Sequence, residues 1–265
     1  MSKQTDNWQW QSWNGLNYLT CSLLQDWKHG FFTQDFYPRS PEELVDVLQP
    51  AAKVFRVKQV HSDRVLTPTE IDHVMSRGES EEILPQADAV ITEQSQQAVW
   101  AASADCTPAL IGDVVTGRVS AIHSGWRGTE QRIIPKAIQR FLDFGSQLEN
   151  LRVAMGPAIS GEVYQVDAEV GAKVGASLFT QLEKSPEDIL AELQALSTPP
   201  ILPDPEVGKV RLDVRLINFL QLQQLGLNPE QIAIAPECTY QNPARFFSYR
   251  RTHEKKVQWS GIVSR

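Results

Sequence analysis

The sequence predicts a mixed α/β protein folded as one domain over residues 1–265, with layered sheets and flanking helices. Three observations carry this reading. Short apolar runs of strand length recur: Ala87–Thr92, Ala98–Ala102, Pro108–Ile111, Leu151–Met155 and Gln231–Ala235. Longer stretches of helical period stand among them, above all Thr129–Phe144, where Ile133, Ile134, Ala137, Ile138, Phe141 and Leu142 share one face. No repeat, low-complexity run or linker divides the chain.

Taken in order, Trp8 to Leu24 reads as one or two strands turning at Asn14-Gly15, with the early tryptophans as packing residues. His29–Thr33 is a short strand. Ser40-Pro41-Glu42-Glu43 opens a helix that ends before Pro50: a capping serine, proline at the first helical position and a glutamate at the third. Val54–Val60 alternates like a half-buried strand and brings His61 to its end. Thr67–Pro85 is polar and without clear period, so it is read as a loop. After the central runs, Thr129–Phe144 forms a helix, which Pro135 forces either to start near Ile134 or to kink. Val166-Asp167 starts a helix to about Leu182, and Ile189–Leu196 gives another. Pro199, Pro200, Pro203 and Pro205 make a stiff loop. Asp213 caps a helix through Leu225, closed by Gly226. Phe246–Arg250 and Val257–Val263 are the last strands.

Composition excludes several classes. Apolar residues are 42% and charged residues 22% of the chain, ordinary for a globular protein with a sizeable core. A net charge of −7 gives no electrostatic reason to bind nucleic acid. No apolar run approaches the about 18 residues of a membrane span, and MSKQTDNWQWQSW lacks a signal peptide's apolar core. Three cysteines (Cys21, Cys106 and Cys238) are too few for a disulfide framework and point to a reducing cytoplasm.

The chemistry gathers between Ala101 and Thr129. Pro108–Ile111 and Arg118–Ile122 flank a turn at Thr116-Gly117; Cys106 precedes the first run and His123 ends the second. Antiparallel pairing brings thiol and imidazole to one end of the hairpin, and His61 joins from an earlier strand. Two histidines and a cysteine are a common three-ligand zinc set that leaves a fourth position for water or substrate. The same thiol and imidazole also suit a nucleophile and its base, or a structural role. Asp105 is a candidate to orient a histidine or act as base, with a turn role as the alternative, and Asp88 is weighed the same way. Gly125-Trp126-Arg127-Gly128 follows His123 and opens a helix, so its amides and guanidinium offer a phosphate site; a tight turn with Trp126 in the core is the alternative. Phe246–Arg251 supplies aromatic faces and two cations, the floor of a pocket for a flat heterocycle and an anion, or else a core strand. His29, His73 and His253 read as structural. No Walker motif is present.

Gln59-Val60-His61, Ala87-Asp88-Ala89 with Thr92, Ala104-Asp105-Cys106-Thr107-Pro108, His123-Ser124-Gly125-Trp126-Arg127-Gly128, Met155–Ile159, Cys238-Thr239-Tyr240 and Phe246–Arg251 occur in this order. Together they resemble the YfiH/laccase-domain family, also described as purine nucleoside phosphorylase-like or polyphenol oxidase-like. The resemblance implies a single α/β domain similar to deamidating cysteine-hydrolase toxins. It implies a zinc site on His61, Cys106 and His123, with copper as the other metal attached to the family's name. Members are described as phosphorolysing adenosine, inosine, guanosine and methylthioadenosine, and as deaminating adenosine. Two departures touch the pocket rim. The Gly-rich segment that follows HGF-T is missing, and Ile159-Ser160-Gly161-Glu162-Val163-Tyr164-Gln165 replaces a run with cysteine and Tyr-Glu.

The expectation is therefore a zinc-dependent enzyme acting on a purine nucleoside and phosphate. Cys106, Asp105 and Arg127 would be catalytic, and Arg127, Gly128, Phe247 and Arg250 would contact substrate. The five histidines are too few for a type 1 copper centre plus a trinuclear cluster, although a single copper suits a His₂Cys site. The alternatives are a cysteine amidase using Cys106 and His123, phenol oxidation at the same site, and an interaction module with a closed structural metal.

Overall fold

The computed structural model describes residues 7–77, 84–179 and 184–265. The first elements are β1 (Trp8–Trp13), β2 (Leu16–Cys21), β3 (His29–Phe32), α1 (Pro41–Leu48), β4 (Lys53–Phe55), β5 (Val65–Leu66) and α2 (Pro68–Arg77). The middle of the chain gives β6 (Ala89–Ile91), β7 (Gln97–Ser103), β8 (Thr107–Asp113), β9 (Val119–Ser124), α3 (Trp126–Glu130), α4 (Ile133–Asp143) and β10 (Leu151–Met155). There follow β11 (Gln165–Asp167), α5 (Ala168–Ala176), α6 (Pro186–Gln194), β12 (Ile201–Pro203), β13 (Lys209–Leu212), α7 (Val214–Gln224), β14 (Ile232–Ile234), α8 (Tyr249–Thr252) and β15 (Gln258–Val263).

Two six-stranded sheets form the body, one ordered β1-β2-β3-β15-β7-β4 and the other β14-β10-β8-β9-β6-β5. Alternation along the strands decides the layering. In β7, Val99 and Ala101 face inward onto Leu110, Ala121 and Ala154 of the second sheet. Ala98 and Trp100 face outward onto Leu44, Val45 and Leu48 of α1. Ile111 of β8, Ile122 of β9 and Val153 of β10 turn the opposite way, onto Ile134, Ile138 and Phe141 of α4 and Leu222 of α7. The result is helix, sheet, sheet, helix, so β8 and β9 are buried throughout. A third sheet, β11-β13-β12, packs with α5 and α6 around Val174, Ile189, Ile201 and Leu212.

Most sequence expectations hold, with instructive exceptions. Ser40 and Glu43 form the capping box of α1. Pro135 is the third residue of α4, inside the first turn, where its missing N–H costs nothing. Thr67–Pro85 is not simply a loop: α2 occupies Pro68–Arg77, and Thr67 and Glu70 exchange hydrogen bonds of 3.2 and 2.7 Å at its start. The remainder of that stretch, 78–83, lies outside the described residues.

The strand expected over Val54–Val60 stops at Phe55, having paired with Gln97–Val99 of β7. Beyond that point the Gln59 carboxamide takes over, donating to Ala102 O at 2.8 Å and accepting from Ala102 N at 2.7 Å. The helix expected from Val166 to Leu182 is α5, which ends at Ala176, and 180–183 lie outside the described residues. The proline-rich loop contains β12, an edge strand in which Pro203 is tolerated. Phe246–Arg250 is not a strand: Ser248 accepts a hydrogen bond from Arg251 N and caps the single turn α8.

Candidate functional site

The β8–β9 hairpin fixes half of the site by register. Pro108 pairs with His123 and Thr107 with Ser124, so Cys106 and His123 emerge at the same end. His61 is not at a strand end; it sits at φ 61° in the loop leading from Gln59 to β5. What holds it there is Asp88, the residue before β6. One Asp88 oxygen accepts from His61 N at 2.9 Å, and the other accepts from Val60 N and Ser62 N and from the Ser62 hydroxyl. The same carboxylate meets His123 Nδ1 at 2.9 Å. A buried carboxylate is stable only when so satisfied. Burial alone would raise Asp88, but these donors, led by His123, bring it down to about 2.

Asp88 therefore sets both histidines at once, and with Nδ1 engaged, His123 has Nε2 left for the site. The ligand atoms of His61, Cys106 and His123 all lie within 4.8 Å of one another. Cys106 Sγ is 4.0 Å from His61 Nε2, and the two imidazoles meet edge to face at 4.8 Å. Gly125 lies directly behind: a Cβ there would stand 2.8 Å from Cys106 Sγ and 3.2 Å from His61 Cδ2. The backbone must approach this closely for the trio to converge, so glycine is required.

Burial by itself would raise the Cys106 thiol, yet the His123 charge and hydrogen bonds from both histidines draw it down to about 6. Burial would lower His123, but the Cys106 thiolate and Asp88 lift it to about 9. The pair favours thiolate and imidazolium, so a cation taking this site would displace the His123 Nε2 proton. Zn–N and Zn–S bonds near 2.0 and 2.3 Å put tetrahedral ligand atoms about 3.5 Å apart, so the trio needs only a slight contraction. No fourth His, Cys, Asp or Glu joins them among the described residues. The donor set fits a divalent ion with one open position.

That position faces a cavity of about 700 Å³, lined also by Trp126, Arg127, Tyr164, Tyr249, Arg250, the segment His253–Val257 and Trp259. Arg127 is exposed, stacks on Trp126 at 4.3 Å, and has no acidic partner within salt-bridge distance among the described residues. Its helix, α3, is a single turn, so the guanidinium rather than a helix dipole is the cationic feature here. Gly128 is buried, facing Ile133 and Ser62 O, and does not line the cavity.

Asp105 stands at φ 92° with both oxygens engaged. Oδ1 accepts from Thr239 Oγ1 and Oδ2 from Arg250 N, each at 2.7 Å. Of the two candidates for orienting a histidine, the geometry selects Asp88. Arg250 lines the cavity, but its guanidinium donates to Gln165 O at 2.8 Å and covers the Tyr164 ring at 4.9 Å. Phe247 lies outside the lining, against Tyr37 and Lys256.

Two features had weak signals in the sequence. Tyr164 belongs to the segment that departs from the family pattern. The span His253–Val257 carries only charge and no motif.

A family model described as "Multi-copper polyphenol oxidoreductase laccase" matches residues 39–263. The protein named "Purine nucleoside phosphorylase slr1573", from Synechocystis, is 55% identical over 265 residues, covering 100% of both chains. "Adenosine deaminase RL5", from an unknown prokaryotic organism, is 28% identical over 73% of this chain and 68% of its own. Among solved structures, YlmD from Geobacillus stearothermophilus superposes with a TM-score of 0.76 at 22% identity, covering 97% of this chain and 98% of that one.

Proposed function

The chain belongs to the laccase-domain family described as multi-copper polyphenol oxidoreductase laccase, and we propose that within it this protein is a metal-dependent purine nucleoside phosphorylase. The observation that carries the reading is a three-ligand donor set, His61, Cys106 and His123, with its open side on a cavity that also presents the Arg127 guanidinium, which has no acidic partner among the described residues. A cavity of about 700 Å³ accommodates a nucleoside with an anion beside it. The relative named as a purine nucleoside phosphorylase, identical at 55% of positions along the whole chain, supports the same substrates.

Zinc is the metal we assign, because a tetrahedral His₂Cys site with one free position matches its preferences; when bound it supplies Lewis acidity to an oxygen at that position. The rest is done by side chains. Asp88 keeps His61 and His123 in register. Arg127 holds phosphate in a bidentate grip against the sugar. Trp126 and Tyr249 offer aromatic surface to the base. Asp105, with both oxygens occupied, ties the Cys106 turn to Arg250 and does not move a proton.

Adenosine deamination is the second reading, favoured by the relative named adenosine deaminase. Product analysis with adenosine separates the two. Adenine that appears only with phosphate, and is lost in Cys106→Ala, supports phosphorolysis; inosine without phosphate supports deamination. Adenosine left untouched by both proteins overturns the nucleoside assignment and brings forward a cysteine amidase, in which Cys106 attacks and His123 acts as base.

A further inference from the structure

Tyr164 is an aromatic residue of the cavity held from several parts of the chain. Its backbone N–H donates to Ser160 O at 3.1 Å, and its carbonyl accepts from Leu212 N of β13 at 3.0 Å. Its ring edge packs with the core of the three-stranded sheet. The Arg250 guanidinium covers the ring face and is itself anchored on Gln165 O, one residue along. Arg250 N is in turn held by Asp105, the neighbour of Cys106. The ring is thus held by the sheet core and by Arg250.

The hydroxyl is not. No hydrogen-bond partner within the chain serves it among the described residues, and Tyr164 lines the cavity. A phenol held rigidly by its ring, with its O–H unspent, is an arrangement for binding something else. Burial, with the Cys106 charge, pushes the phenol up to about 12, so it arrives protonated at neutral pH. It is therefore a donor and not a base.

Resting on the phosphorolysis reading, we propose that Tyr164 is a catalytic hydrogen-bond donor to the departing purine, and that Arg250 is a positioning residue for it and not a phosphate ligand. A phosphate oxygen forms a bond to C1′ as the C1′–N9 bond breaks, and the bonding pair passes into the purine. The Tyr164 O–H donates to the ring nitrogen on which that charge collects. The proton that finally neutralises the base is the one phosphate gives up, delivered through solvent, and the phenol ends as it began. Two side chains divide the work: Arg127 holds the attacking anion and Tyr164 stabilises the leaving one.

The test compares inosine with 7-methylinosine, whose base leaves from an already cationic ring and needs no donor. The enzyme is used fully metallated, and Tyr164→Phe retains the ring and its contact with Arg250. For inosine, kcat and kcat/KM should fall together by on the order of 100-fold in Tyr164→Phe. For 7-methylinosine the loss should be at least about tenfold smaller. Arg250→Gln should show the same substrate-dependent pattern with a smaller loss, which a merely structural role would not produce. Metal content and melting temperature of each variant serve as folding controls. Equal losses on both substrates, or full inosine activity in Tyr164→Phe, overturn the proposal. A wild-type protein that cleaves neither substrate overturns the phosphorolysis reading instead, so the two failures are distinct.

Discussion

The two sides of the cavity are built by opposite means. The ligand side is framed by β8 and β9, buried strands whose register puts Cys106 and His123 at one hairpin end, and by a single carboxylate that sets both histidines. The wall from Tyr249 to Val257 has almost no regular structure. It is one turn of helix and an extended segment, fastened by side chains reaching backbone carbonyls. Arg251 donates to Thr239 O, Tyr240 O and Phe246 O at 2.6–2.8 Å, and Gln258 brackets Phe247. Metal ligands need fixed convergence, which a sheet provides, whereas a wall that must admit and release a substrate is better hung on ties that can loosen individually.

The largest expected effect breaks the ligand side. Asp88→Ala frees both histidines and strands three amides, so metal affinity should fall by about 10–100-fold and stability by roughly 3 kcal/mol. Metal titration and denaturant unfolding check this. If the metal affinity survived, the carboxylate would not be what sets the histidines. Gly125→Ala comes next, since its Cβ would meet Cys106 Sγ at 2.8 Å. It should lower metal affinity while costing about 1–3 kcal/mol of stability from overpacking.

Arg251→Ala tests the other side and should give the converse pattern. Metal content stays at the wild-type level while the nucleoside KM rises on the order of tenfold, as a loosened wall loses binding shared by ground and transition states. Loss of metal in this variant would show that the two sides are not separable.

The smallest effect belongs to a residue on neither side. His29 is buried, with Nε2 accepting from Cys21 N and Nδ1 against Trp27 O, and burial lowers its pKa below the ordinary 6.5 despite those bonds. The folded protein therefore refuses a proton that the unfolded chain takes up. The contribution is complete above pH 6.5 and is lost as pH falls towards the depressed folded value, with a slope of at most about 1.4 kcal/mol per pH unit. Unfolding midpoints at pH 5, 6 and 7.5 should show a shallower slope in His29→Gln than in the wild type.

Sequence legibility follows the same division. The hairpin could be read because its information is local: two apolar runs, a Thr-Gly turn, and polar residues at matching ends. The capping boxes and the Asp213 cap were local too, and even the missed α2 carried one in Thr67 and Glu70. Nothing in the sequence near Asp88 announces five donors converging from residues 60–62 and 123. The facing wall was least legible, because its decisive contacts, such as Asp105 with Arg250 across 145 residues, have no periodicity or spacing to betray them. Arg250 was singled out for its charge, and the fold spends that charge on Gln165 O and the Tyr164 ring.

One topological detail has a consequence for biosynthesis. Strand β15 lies in the interior of its sheet, hydrogen-bonded to β3 on one side and β7 on the other. Without Gln258–Val263 this sheet falls into two parts, β1-β2-β3 and β7-β4, with a gap where β15 belongs. Folding of this layer therefore waits on β15, and a chain cut short upstream of Gln258 would expose the apolar edges of β3 and β7, a ready target for proteolytic clearance.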